Sequence, residues 1–218
     1  MQSTRLRLLA IALLLAVTPV ASARQAIQAN GVLLSAMSPF EDLIGFALAE
    51  SDADISHALV AADQHATAVK TALSASAASA FATLMEGLHR AAADKDHHDV
   101  ARRAVDVFRL LIDHLEAKAL KVPREVSLLD YAGFKLRVLA ASPSPEWQDI
   151  RRTVGEAAGW WNAINAQVSA KGLRDAFGSV IRGLDEAATL ENLPMLRFAA
   201  QMDLDLVDVL ESALKPKR

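Results

Sequence analysis

Apolar residues recur along this chain at intervals of four and three. From 54 to 73, Ile55, Leu59, Ala62, Ala66, Val69 and Leu73 step by 4, 3, 4, 3 and 4. Such steps lay one stripe along an α-helix, the stripe by which it packs on another helix. The same steps return from 149 to 168 in Ile150, Val154, Ala157, Trp161, Ile164 and Val168. Two further helices carry Phe81, Leu84, Met85, Leu88 and Ala92, and Phe177, Val180, Ile181, Leu184 and Ala188. Helices near 98–120 and 193–215 carry Ala101, Val105, Phe108, Ile112, Leu115 and Ala119, and Leu196, Ala200, Asp203, Val207, Leu210 and Leu214. No stretch sustains the alternation of a half-buried strand. The pattern predicts an all-α chain.

The stripes come in pairs because a short motif comes in a pair. Asp42-Leu43-Ile44-Gly45-Phe46-Ala47-Leu48 returns as Asp130-Tyr131-Ala132-Gly133-Phe134-Lys135-Leu136. Gly87-Leu88 then matches Gly183-Leu184, Arg102 matches Arg197, Asp113 matches Asp208, and Leu115-Glu116 matches Leu210-Glu211. The expectation is an internally duplicated helical bundle of about four helices per repeat. The first repeat would cover 24–121 and the second 122–218, packed as one compact pseudo-twofold domain. Gly45 and Gly133 stand mid-helix, where glycine costs about 1 kcal/mol against alanine. They predict either that the two first helices cross there and join the halves, or that each glycine serves a local accommodation inside its own bundle.

Breakers and caps set the expected boundaries. Ser38-Pro39 reads as a helix start with Ser38 as N-cap and Glu41 closing a capping box, the helix running to about Glu50. Residues 24–38 read as a short helix, Ala26 to Met37, or a loose lead-in. Pro123 ends the first repeat in a linker from Lys121 to Val126. Ser142-Pro143-Ser144-Pro145-Glu146 reads as a turn, with Ser144 capping the next helix and Pro145 starting it.

The first 23 residues have a different character. Arg5 and Arg7 precede an apolar run from Leu8 to Val17, and Ala21-Ser22-Ala23 follows as a small-residue cleavage site. This is the pattern of a signal peptide, and it predicts a periplasmic protein with no membrane span after cleavage. Composition narrows the chemistry. Hydrophobic residues at 52% against 22% charged describe a folded chain. A net charge of -3 without a basic cluster argues against nucleic acid. The absence of cysteine removes disulfides, thiolate metal sites and a cysteine nucleophile. No nucleophile elbow and no phosphate-cradling glycine loop is present, so the sequence leans away from an enzyme.

Few residues break the pattern. Asp203 takes the stripe position that Phe108 fills in the other half, and a carboxylate in a core is costly unless paired or protonated. Its candidate partners are Arg197, Arg137 and the Tyr131 hydroxyl. Trp160, one step off its stripe, could wall an apolar pocket with Tyr131. Asp42 and Asp130, with Arg102 and Arg197, read as helix-dipole support or a polar network at a helix junction. All six histidines lie before residue 115. Among them His97, His98 and His89 are the candidates for a metal ion, although adjacent helical histidines diverge.

Two functions follow as expectations. The first is a binding or adaptor module holding a protein partner or a small apolar ligand between its repeats, through Asp203, Trp160, Tyr131 and Arg197. The alternative is a periplasmic protein that binds copper, zinc or iron through the histidines. A hydrolase or lyase using Asp203 trails both.

Overall fold

The computed structural model describes residues 19–216, with side chains from residue 23. The expected apolar run of the signal peptide lies outside these residues. Its cleavage triplet falls at the start of the first helix. The elements are α1 (Pro19–Ser35), α2 (Ser38–Leu48), α3 (Asp52–Ala72), α4 (Ala75–Ala93), α5 (His97–Asp113), α6 (Arg124–Ala141), α7 (Trp147–Ile164), α8 (Lys171–Thr189) and α9 (Leu193–Leu214). Single 3-10 turns follow α5 (Ala117–Ala119) and α7 (Asn165–Gln167), and no strand occurs among the described residues.

The stripes are the packing surfaces. Ile55, Leu59, Ala62, Val69 and Leu73 are buried on α3. Ile150, Val154, Ala157, Trp161, Ile164 and Val168 are buried around α7. Helix α2 packs on α3 and α5, α3 on α4, and α4 on α5. Likewise α6 packs on α7 and α9, α7 on α8, and α8 on α9.

One core fills each half, and α6 serves both. Its Leu128, Tyr131 and Val138 join the first core, while Val126, Leu129, Ala132, Leu136 and Ala140 join the second. A helix that is apolar all round is a buried helix, and α6 is where the halves meet, mainly against α5. The glycine crossing expected between α2 and α6 is not the joint. A Cβ at Gly45 would meet nothing within 4 Å. A Cβ at Gly133 would meet Leu204 at 2.6 Å and the Asp203 Oδ2 at 2.8 Å, both on α9 of its own half. Glycine is needed at 133 because α6 and α9 approach closely there.

Several boundaries differ from the sequence reading. Ser38 does not cap α2. The N-cap is Met37, already helical in conformation, with no side-chain cap, so Ser38 and Pro39 occupy the first helical turn. A serine N-cap requires an extended backbone, and α1 runs into α2 with no such break. Ser144 does not cap α7 either. The helix starts at Trp147 after Glu146, while the Ser142 hydroxyl donates to Ser144 O and accepts from Ser144 N, closing the turn. Helix α5 stops at Asp113 instead of continuing to 120. Here Asn30 of α1 takes over. Its amide donates to Glu116 O at 2.9 Å and accepts from Glu116 N at 2.8 Å. Residues 24–35 are thereby helical and clamped to the segment leading into the linker. Together with α2 they make Ala23–Leu48 the one stretch among the described residues long and apolar enough to cross a membrane. Leu33, Met37, Phe40, Leu43 and Ile44 of that stretch are buried in the first core.

Candidate functional site

Asp203 is fully buried on the α9 stripe, and neither carboxylate oxygen has a hydrogen-bond partner. Burial pushes its pKa well above the ordinary carboxylate range. The position is the one the pattern assigned to it, but none of the three expected partners reaches it. Arg197 instead donates twice to Ala140 O, at 2.7 and 3.1 Å. That carbonyl belongs to the last turn of α6, which has no helical donor of its own. The Tyr131 hydroxyl accepts from Lys135 at 3.0 Å. Arg137 is held below its ordinary pKa by burial and feels the charge of Asp205, not of Asp203. Arg102, the expected counterpart of Arg197, forms ion pairs with Asp99 and Asp106 on its own helix and joins no buried network.

Tyr131 and Trp160 do come together, edge to face with centroids 6.3 Å apart. The Arg109 guanidinium lies over both rings, 4.9 Å from Tyr131 and 5.4 Å from Trp160. A cation on two aromatic faces is a favourable packing arrangement, and it occupies the space beside Trp160 where the sequence suggested a pocket.

The three candidate histidines go separate ways. His97 pairs with Asp52 at 2.7 Å, His89 pairs with Asp63 at 2.9 Å, and His98 lies 3.4 Å from Val138 O at the end of α6. The run around them is a helix corner. Lys95 turns the chain with φ 55°, and Asp96 caps α5 by accepting from Asp99 N. Among the described residues no group of three His, Asp or Glu side chains is placed to hold a metal.

A cleft of about 720 Å³ opens elsewhere, between α1, the linker, the start of α6 and the end of α9. Its walls are mostly apolar, with Ile27 and Leu34 from α1, Leu120 and Val122 from the linker, Val126 from α6 and Val207 from α9. Asp130, Asp208 and Glu211 also line it, with Lys121 and Lys215. Asp130 is not at a helix start, since α6 begins at Arg124. Helix-dipole support therefore does not explain it. Burial, then the charges of Glu41, Asp203, Asp208 and Glu211, push its pKa well up. Burial and the neighbouring Asp42, Asp208 and Glu211 likewise push Glu41 of α2 up to about 7. Glu211 is paired with Lys215 at 2.8 Å. Among the described residues Asp130, Asp208 and Glu41 have no ion-pair partner.

Sequence reasoning missed this cleft and the roles of Glu41, Asp208 and Glu211. Asp208 and Glu211 lie three apart on one helix face, which was a visible signal. What the pattern could not supply was the meeting of that face with Asp130 and the linker. Family models, curated proteins and solved structures were compared with the chain, and none matches.

Proposed function

We propose that this is an exported, periplasmic binding module that holds a small, largely apolar ligand in the cleft where its two repeats meet. The observation that carries the reading is the cleft itself. Its volume lies in the range of roughly 300–1,000 Å³ typical of small-molecule sites, and its walls are apolar with a few convergent polar groups. It lies at the joint of the two halves, where ligand sites concentrate. The duplication that makes two halves is supported by a repeated corner. Lys95 before α5 and Glu191 before α9 both have positive φ, and each is followed by a side-chain cap, Asp96 and Asn192. Export rests on the basic start, apolar run and small-residue triplet of the first 23 residues.

Gly31 offers a direct test. It lines the cleft from α1, and a Cβ there would meet nothing within 4 Å. Gly31→Trp therefore places an indole at the cleft wall, with room for its Cβ. Titration with the neutral fluorescent probe N-phenyl-1-naphthylamine should give saturable enhancement with the natural chain and little with the variant. Equal enhancement with both would contradict the reading.

A further inference from the structure

We infer that the cleft selects an organic cation, a ligand with an apolar body and an ammonium group, seated with that group against Asp130 and Asp208. The inference rests on the proposed cleft and adds the chemistry of its occupant. Apolar walls alone would accept any greasy molecule of the right size. This cleft also presents two carboxylates without ion-pair partners among the described residues, Asp130 on α6 and the exposed Asp208 on the adjoining α9, and the charge of Glu41 on α2 acts on Asp130 from outside the lining. A buried carboxylate crowded by other acids, as Asp130 is, is raised in energy when ionised, and a cation placed beside it relieves it.

The other charges facing the site do not already do so. Lys215 is committed to Glu211, at the exposed end of α9. Lys121 lies in the exposed linker, where water solvates its ammonium. Helix α1 contributes no charged side chain to the lining. Behind Asp130, one turn further along α6, the carboxyl of Asp203 lies against Gly133 and adds to the negative potential whenever it is ionised. A bare divalent ion fits less well than an ammonium. It demands several oxygen ligands in a fixed geometry, and the described carboxylates form no such group. An ammonium on a hydrocarbon body uses both features of the cleft at once.

Three probes of one shape separate the possibilities: 1-naphthylmethylamine, 1-naphthylmethanol and 1-naphthylacetate, titrated calorimetrically into the full mature chain at pH 8. The amine should bind at least about tenfold more tightly than the alcohol, and the acetate most weakly. In Asp130→Asn combined with Asp208→Asn, the ratio of amine to alcohol affinity should fall close to one. Alcohol and amine binding equally to the natural chain would overturn the cation preference and leave the apolar cleft standing. Binding of none of the three would overturn the cleft as a ligand site. Retained tenfold selectivity in the double variant would place the cation elsewhere.

Discussion

Asp203 shows what one residue does when its surroundings offer it nothing. It is fully buried with both oxygens unpartnered, and burial raises its pKa well above the usual range. The unfolded chain gives up this proton near pH 4, while the folded chain keeps it to higher pH. Between those values the folded state binds more protons, so stability falls as pH rises. Asp203→Asn has no proton to lose. The variant should therefore gain on the natural chain as pH rises from 5 to 8. Urea unfolding at the two pH values measures this, and an unchanged difference would mean that Asp203 finds a partner in solution. Glu41, raised to about 7, adds a loss of the same sign between roughly pH 4.5 and 7. The anomaly was legible in the sequence because a stripe makes a buried position predictable. The absence of a partner was not, because it depends on where Arg197, Arg137 and Tyr131 point.

Helices were legible where periodicity alone decides them, and their ends were not. The stripes of α3 and α7 are buried as the spacing required. The ends depend on contacts from afar, as when Asn30 grips the Glu116 backbone after α5 has stopped. The glycine motif makes the same point with a measurable outcome. Gly45 and Gly133 hold equivalent places in the repeated frame but face different neighbours. Gly133→Ala drives a methyl into Leu204 and Asp203 and should cost about 1–3 kcal/mol. Gly45→Ala meets nothing and should stabilise by up to about 1 kcal/mol through helix propensity. Thermal unfolding of the two variants reads the contrast, and losses of equal size would restore the symmetric crossing.

At the scale of the whole molecule, the two cores share α6, and the cleft exists because α1 and the linker close over its first turns and the end of α9. The sequence pointed to a site between the halves but placed it at Trp160 and Tyr131, the residues with the most conspicuous side chains. Those rings are filled by Arg109. The cleft is built from ordinary valines, leucines and carboxylates that become a site only through the fold. Hydrogen–deuterium exchange of residues 24–218, with and without saturating 1-naphthylmethylamine, tests the central claim most directly. The account predicts added protection confined to residues 24–35, 117–130 and 204–215. Protection centred instead on the segments around Tyr131 to Lys135 and Trp160, with none in α1 or the linker, would contradict it.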